Sequence, residues 1–374
     1  MFDNTTIPLN FQFDSTLWYH VPMETVFVAM SGGFDSSFAS YSLKKNGYNV
    51  VGVTFRLLPE SIVNKQHPRA CCSADTIARA QMAASYLSIP HFVMDLREDF
   101  EHHVIERFIN EYKSGMTPNP CILCNKFIKF SSFAGKAFSM GADKIATGHY
   151  ANIEEENGNC YLKKGLDKGK DQSYFLYAIE EDILKRTLFP LGNHKKNALK
   201  EEARNISWNI YSIKESQDIC FVPDNDYRKF LSSYVTLEKG PVYHIDGTFL
   251  GHHKGLHLYT IGQRRGINIP HREALYVVNT MPDENMLIVG SKEDLKQKTL
   301  VASEVNIISH ASDNVSGKVR YRQKEEPCAY KVVNDTLHVE FTNHISSVTP
   351  GQSVVLYDDD IVIGGGIIQK RIDR

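Results

Sequence analysis

Two groups of residues in this 374-residue chain could do chemistry. The first is Met30-Ser31-Gly32-Gly33-Phe34-Asp35-Ser36-Ser37, placed directly after the apolar stretch that begins at Val26. Paired glycines let backbone N–H groups approach an anion closely, the serine hydroxyls add donors, and a helix start adds positive partial charge. Such a run cradles phosphate, and the absence of GxxxxGK[ST] separates it from a Walker loop. The second group is a set of thiols. Cys121 and Cys124 stand three positions apart behind the turn Thr117-Pro118-Asn119-Pro120, and Cys220 lies in the apolar run Ile219 to Val222. Lys126 and Lys129 follow the first pair closely, and nearby positive charge raises a thiol's thiolate fraction, as nucleophilic attack or metal ligation requires.

The elements that must position these groups alternate. An apolar run from Val26 to Met30, a helical stretch from Ser36 closed by Asn46-Gly47, and a second apolar run from Asn49 to Phe55 make a βαβ unit. The Ala-rich segment Ala74 to Leu87, the strand-like His91 to Asp95 and the later Lys144 to Ala146 continue it. The expectation is a doubly wound parallel sheet with the phosphate loop and Gly148-His149-Tyr150 at its carboxyl edge. Beyond Leu256 short β-rich runs (Ala274 to Asn279, Met286 to Val289, Lys318 to Arg322, Ser353 to Leu356) predict a small barrel or sandwich. The division expected is an extension at 1–22, an α/β catalytic domain at 23–213, a central domain at 214–281 and a C-terminal β-barrel at 282–374.

The bulk numbers narrow the class. Hydrophobic content of 42% and charged content of 23% are ordinary for soluble proteins, and no apolar run nears the ~18 residues of a membrane helix. A net charge of -2 excludes a uniformly basic nucleic-acid binder while allowing local phosphate-holding patches. The first 22 residues contain no Lys or Arg, so neither a secretory signal nor an Arg-rich transit peptide fits them. Seven cysteines without a secretion signal point to a reducing, cytoplasmic setting. Cys71-Cys72, Cys160 and Cys328 read as structural or incidental.

The SGGxDSS string resembles the pyrophosphate loop of the N-type ATP pyrophosphatases, which share adenylation chemistry with ATP and Mg²⁺; Asp35 is the carboxylate at hand for the metal. The resemblance then becomes narrower. Asn119-Pro120, Leu123-Cys124-Asn125-Lys126, Ala146-Thr147-Gly148-His149-Tyr150-Ala151 and Lys170-Asp171-Gln172-Ser173-Tyr174-Phe175-Leu176 are similar to strings of the bacterial and mitochondrial tRNA-specific 2-thiouridylases. So are Ile219-Cys220-Phe221, Thr260-Ile261-Gly262-Gln263-Arg264-Arg265-Gly266, Val319-Arg320-Tyr321-Arg322-Gln323 and Pro350-Gly351-Gln352. The similarity covers nearly all of the chain after residue 22.

That resemblance implies adenylation of the C2 oxygen of the wobble uridine (position 34), then sulfur addition and departure of AMP. It implies Cys124 as nucleophile and Cys220 as persulfide carrier, the two able to form a disulfide during turnover. ATP contacts carried over are Ala29, Met30, Ser31, Gly32, Gly33, Phe34, Asp35, Ser36, Phe55 and Gly148. Contacts to tRNA are Asn119, Pro120, Cys121, His149, Lys170, Asp171, Gln172, Arg320, Tyr321 and Gln352. Lys318, Arg320 and Arg322 alternate, so a strand would project all three as a phosphate-binding comb. The chain departs from the family at Cys121, where Asp is usual. Related tRNA thiolases with three such cysteines hold a [4Fe-4S] cluster, so Cys121, Cys124 and Cys220 form a candidate ligand set beside the persulfide route. The sulfur source is then a cysteine desulfurase or relay protein, or free sulfide. Two rivals stay open: another ATP pyrophosphatase acting on a different substrate, and a [4Fe-4S] redox or binding module. A missing glutamine-hydrolysing module argues against the synthetases.

Overall fold

The computed structural model describes residues 23–63, 74–206, 208–212, 219–222, 226–310 and 314–371. Expectations for residues 1–22 and for Cys71 and Cys72 lie outside the described residues. Five strands, β1 (Thr25–Ala29), β2 (Asn49–Arg56), β3 (His91–Asp95), β4 (Lys144–Ala146) and β7 (Thr187–Leu188), form a sheet in the order β3-β2-β1-β4-β7. Every neighbouring pair is parallel. Alternate side chains of β1 enter opposite layers. Val26 and Val28 pack with Phe34, Phe38, Ala80 and Ala146, while Phe27 packs with Val53, Met94 and Ile145. A strand apolar on both faces is what a sheet covered by helices on both sides needs, and the doubly wound expectation is met.

The strand order reverses at β1, whose neighbours β2 and β4 are reached by connections running to opposite sides. The crevice beyond the carboxyl ends of β1 and β4 is therefore the natural ligand position. It is flanked by the helix Phe34–Lys45, which carries Asp35 in its first turn and Lys44 and Lys45 in its last, in keeping with the helix dipole.

Two long helical stretches pack nearby. The first runs through Arg97–Phe100, Glu101–Glu106 and Arg107–Lys113, the second through Pro120–Leu123, Cys124–Ser132 and Phe133–Ser139. In each the middle piece is π-wound. In the second, the Phe133 N–H donates to the Ile128 carbonyl five residues back. That pitch brings residues five apart toward one side, so Cys124 and Lys129 share a face.

The central sheet has the order β10-β11-β8-β9, built from β8 (Gly240–His244), β9 (Phe249–His253), β10 (Tyr276–Met281) and β11 (Met286–Gly290). The β10-β11 hairpin crosses residue 282, where the sequence reading put a boundary; a paired hairpin shares one core and is not divided there.

Beyond it, β12 (Lys296–Ile307), β13 (Val315–Lys318), β14 (Glu326–Val333), β15 (Thr336–Ser346), β16 (Ser353–Asp358) and β17 (Ile361–Arg371) close into a six-stranded barrel through β12–β17 pairing. Closure removes the unpaired edges of the sheet. A hairpin of β5 (Ala151–Glu156) and β6 (Asn159–Lys164) joins the outside of the barrel by pairing with β17. The expected Lys318 to Arg322 strand does not form. β13 ends at Lys318 and residues 319–323 bend and turn, because Val319 is drawn into the barrel core.

Candidate functional site

The phosphate loop is braced by its own hydroxyls. The Ser31 N–H donates to Ser36 Oγ at 3.1 Å, Ser36 Oγ donates to the Gly33 carbonyl at 3.3 Å, and the Ser31 and Ser36 hydroxyls lie 3.3 Å apart. Gly32 has φ +69, and a Cβ there would meet the Thr76 carbonyl oxygen at 2.4 Å. Both conditions demand glycine. Below the loop the Met30 N–H donates to the Val53 carbonyl at 2.8 Å, and Thr54 Oγ1 donates to the Met30 carbonyl at 2.7 Å. His91 Nε2 lies 2.9 Å from that hydroxyl; since Thr54 spends its proton on Met30, the imidazole donates through Nε2. Thr54 and His91 thus prop the loop, and neither was singled out from sequence. Phe55 is buried, with its ring 4.9 Å from that of Phe133. Its side chain belongs to the core, leaving only its backbone for a nucleotide.

Gly148 brings the second loop against the first. A Cβ there would stand 2.7 Å from the Asp35 carbonyl carbon and 2.8 Å from the Ser36 nitrogen. Tyr150 Oη donates to Asp35 Oδ1 at 2.8 Å, and Lys196 Nζ donates to Asp35 Oδ2 at 2.8 Å. The Lys196 side chain is only 5% exposed against 34% for Asp35. The sequence reading gave Asp35 to a metal ion; here its oxygens orient a buried ammonium and a phenol. Lys196, at the start of the helix Lys196–Asn205, is a cation bonded to the phosphate loop through Asp35 that sequence reasoning missed, and an isolated Lys-Lys pair gives no signal of it.

His149 is half-buried. Burial first, and then the Lys129 ammonium, hold its pKa well below the usual histidine value. Lys129 Nζ sits 3.5 Å from Nε2, and Thr147 Oγ1 sits 2.7 Å from Nδ1. With an ammonium facing Nε2, the neutral ring carries its proton on Nδ1 and gives it to Thr147. The Cys124 helix therefore reaches the Gly148-His149 loop through Lys129.

Asn119 caps the Pro120–Leu123 turn by accepting from the Cys121 N–H at 3.2 Å, with Pro120 at the first helical position. Cys121 is exposed and Cys124 half-buried. The barrel grips the segment just before them: the Thr117 N–H donates to the Pro350 carbonyl at 2.8 Å, and Gln352 Nε2 donates to the Thr117 carbonyl at 2.9 Å. Gly351 has φ +88, and a Cβ would meet Thr117 backbone at 2.8 Å. Gln352, expected as a tRNA contact, here positions the cysteine loop.

Cys220 is half-buried and packs against the same core cluster as Cys124. Its neighbour Phe221 is the anchor, buried edge-on against Phe100 at 5.8 Å and Phe108 at 5.2 Å. The expected short strand is instead a turn, closed by the Val222 N–H on the Ile219 carbonyl at 3.0 Å, because Phe221 and Val222 both turn into the core. Among the described residues no three Cys, His, Asp or Glu side chains come together to hold a metal ion. The three-thiolate set of Cys121, Cys124 and Cys220 is thus not assembled, and these residues do not fit a cluster. Lys126, expected to polarise the thiols, is 3.2 Å from Glu304 of the barrel, so much of its charge is spent there. Burial raises the pKa of Cys160 to about 11 and of Cys328 to about 12, keeping both thiols protonated, as structural residues.

The remaining expected tRNA contacts divide. Asp171 is buried, its carboxylate accepting from the Gly165 N–H at 2.9 Å and from the Ser173 N–H and hydroxyl at 3.2 and 3.0 Å. It shapes its own loop rather than facing outward. Gln172 exchanges two bonds with Tyr150, Oε1 accepting from its N–H at 3.0 Å and the Gln172 N–H donating to its carbonyl at 2.9 Å. Arg320 donates to the Ile261 carbonyl at 2.9 Å and to Thr349 Oγ1, and burial lowers its pKa. With β13 ended at Lys318, the comb of Lys318, Arg320 and Arg322 is not formed; Arg320 is a joint between the central sheet and the barrel. Lys170 is half-buried, and the Tyr321 ring packs at a tilt against Phe175, centroids 4.6 Å apart, beside the Lys318 ammonium, 5.8 Å from its ring.

Comparison with known proteins bears on the same residues. Family models described as a tRNA methyl transferase HUP domain, a tRNA methyl transferase PRC-barrel domain and an aminomethyltransferase β-barrel domain match residues 24–224, 228–291 and 297–368. The chain is 44% identical over 356 residues to the tRNA-specific 2-thiouridylase MnmA of Halothermothrix orenii, spanning 93% of this chain and 99% of that protein. It is 43% identical to MnmA 1 of Caldanaerobacter subterraneus subsp. tengcongensis, over 93% of this chain and 98% of that one. MnmA of Clostridioides difficile is 42% identical, again over 93% and 98%.

Proposed function

Since this chain belongs to the tRNA-specific 2-thiouridylase family, we propose that it binds ATP and tRNA and replaces the C2 oxygen of the wobble uridine with sulfur. The observation that carries this reading is the pairing of a braced phosphate loop with a cysteine-bearing helix that reaches it through Lys129 and His149. An amide-like oxygen is a poor leaving group, so it must first be activated. The uridine O2 attacks the α-phosphorus of ATP and pyrophosphate leaves, its charge met by the loop N–H groups, the helix start at Phe34 and the Lys196 ammonium. Adenylation, rather than methyl transfer, is what a pyrophosphate loop serves.

The sulfur step follows with its electrons balanced. The terminal sulfur of a persulfide on Cys220 attacks C2, AMP departs, and the Cys124 thiolate attacks the Cys220 sulfur. The C2–S bond remains, a Cys124–Cys220 disulfide forms, and an external dithiol reduces it before the next turnover. The persulfide reading is favoured because Cys124 and Cys220 share one core while the donors for a cluster do not converge. Asp35 is bonded to Lys196 and Tyr150 and would have to exchange one of them to hold Mg²⁺. A cysteine desulfurase or a relay protein would supply the sulfane sulfur, in an intracellular, reducing setting. Among the described residues no helix is long and apolar enough to cross a membrane.

For tRNA, we assign contact to His149, Lys170, Tyr321 and the Asn119-Pro120-Cys121 turn, with Asp171, Gln172, Arg320 and Gln352 positioning them. Chemistry on the base requires the uridine to leave its stack and enter this crevice. The test is incubation of the full chain with ATP, Mg²⁺, unmodified tRNA and a persulfide donor, followed by nucleoside analysis. Formation of 2-thiouridine with one AMP per sulfur is expected; AMP release without 2-thiouridine would overturn the reading.

A further inference from the structure

β12 contains a bulge that no motif marks. Against β17, Ser303 pairs with Ile367 and Asn306 with Gly365, so Glu304 and Val305 together oppose Gly366. Glu304 has φ +48, a left-handed conformation that a non-glycine residue adopts only when its surroundings impose it. The partner strand makes room: a Cβ at Gly364 would meet the Asn306 carbonyl oxygen at 2.1 Å, and one at Gly365 would meet the Tyr177 ring at 3.0 Å.

The bulge aims two side chains out of the barrel. The Glu304 carboxylate receives Lys126 Nζ at 3.2 Å and a two-pronged contact from Arg107, whose Nε is held by Glu111 at 2.6 Å. Asn306 Nδ2 donates to the Tyr177 and Ile179 carbonyls at 2.8 and 2.9 Å. Between those two anchors, Asn125 Nδ2 donates to the Phe175 carbonyl at 2.9 Å. The contacts therefore close a ring: bulge, Lys126, Asn125, Phe175, Tyr177, and back to the bulge. Cys124 is the residue next to Asn125, and the Lys170-Asp171-Gln172 loop leads directly into the 173–179 segment.

Resting on the sulfur-transfer reading above, we propose that Glu304 is a positioning residue for that step, holding the Cys124 helix at a fixed height over the crevice by gripping Lys126 and Arg107 from the barrel. Its carboxylate also neutralises Arg107 and Lys126, the second of which lies two residues beyond Cys124, so the reactivity of Cys124 is set from another domain. A carboxylate between an Arg fork and a Lys is a directional contact, which an apolar joint would not replace.

The test uses the full chain with Glu304→Gln, which keeps size and removes charge. In a single turnover with ATP and tRNA, pyrophosphate release, which reports adenylation, should stay within twofold, while sulfur transfer and the AMP release that accompanies it fall about tenfold or more. Lys126→Met should reproduce the defect, and the double variant should fall no further than either single one, because both remove the same contact. Lys126→Met also serves if the Gln variant does not fold. Peptide-resolved alkylation of Cys124 against pH needs neither ATP nor tRNA. In Glu304→Gln its midpoint should move to lower pH, since Lys126 and Arg107 are left uncompensated. Sulfur transfer within twofold of the unaltered chain, multiplicative loss in the double variant, or an unmoved alkylation profile would overturn the proposal. An unaltered chain that makes no 2-thiouridine would instead count against the function, and the alkylation profile would still decide the role of Glu304.

Discussion

The phosphate end and the sulfur end of this crevice are built by opposite means. The phosphate loop is braced by residues within a few positions of one another, Ser31 on Ser36 and Ser36 on Gly33, over a floor of adjacent strands. The cysteine turn is held by distant ones: Thr117 by Pro350 and Gln352, Lys126 by Glu304, and Asn125 by Phe175. A local brace survives wherever the βαβ unit folds, whereas the cysteine turn depends on how the barrel docks. The nucleotide half should therefore tolerate damage to the barrel that the sulfur half does not.

The largest expected effect separates the two halves chemically. Cys124→Ser and Cys220→Ser should each lower 2-thiouridine formation by about a thousandfold or more, because no other group supplies the displaced sulfur chemistry. ATP affinity should be unchanged in both, as neither thiol belongs to the phosphate loop. Equilibrium ATP binding beside nucleoside analysis checks this, and a parallel loss of ATP binding would show that the halves are one unit.

Next comes the converse. Lys196→Met removes a buried ammonium that is bonded to Asp35 of the phosphate loop. ATP affinity should fall about a hundredfold, equivalent to about 2.7 kcal/mol. Urea unfolding should show a smaller loss of stability, about 1–2 kcal/mol, because Asp35 retains solvent and the Tyr150 hydroxyl. Persulfide loading of Cys220, measured without ATP, should stay as it was. A defect in loading would join what the geometry separates.

What was readable in the sequence follows the same divide. The phosphate loop and the parallel sheet were legible because strand, glycine pair and helix start are contiguous and each residue type has one local job, whereas the close approach of Gly148 to Asp35 needed the fold. The thiols were legible as chemistry but not as an arrangement. The family resemblance offered three ligands, yet helix capping by Asn119 leaves Cys121 exposed while Phe221 pulls the Cys220 turn into the core. The charge run at Lys170-Asp171 read as an outward loop, and burial of Asp171 under its own backbone N–H groups could not be seen without the fold. Glu304 had no signal at all. Its role comes from a bulge made possible by glycines some sixty residues away, and Lys196 likewise needed the tertiary approach of a late helix to an early loop.

A smaller effect concerns the joint between the halves. His149, with its pKa held well below the usual value of ~6.5, is charged in the unfolded chain below that pH but neutral in the folded one. The unfolded state then binds the extra proton, so stability is complete above about pH 6.5 and is lost as pH falls below it. His149→Gln should remove on the order of 1 kcal/mol per pH unit of that dependence over this acidic window. His91, His253 and His257 are also lowered by burial and keep their own share. Urea unfolding of both chains at pH 7 and 5.5 measures the difference, and equal slopes would show that the imidazole is already protonated.

The smallest effect is expected at Arg322, which is exposed beyond the end of β13. Because the chain turns after Lys318, Arg322 does not line up with Lys318 and Arg320 to follow a phosphate backbone. Arg322→Ala should weaken tRNA binding only about two- to threefold, with little change in its salt dependence. Arg320→Ala should act differently, loosening the Ile261 and Thr349 joint and lowering stability while leaving the salt slope alone. Binding isotherms at several salt concentrations distinguish the two. If Arg322→Ala cost tenfold and lowered the salt slope by about one, the turn would be a phosphate contact after all, and the barrel would bind RNA as well as hold the cysteine loop.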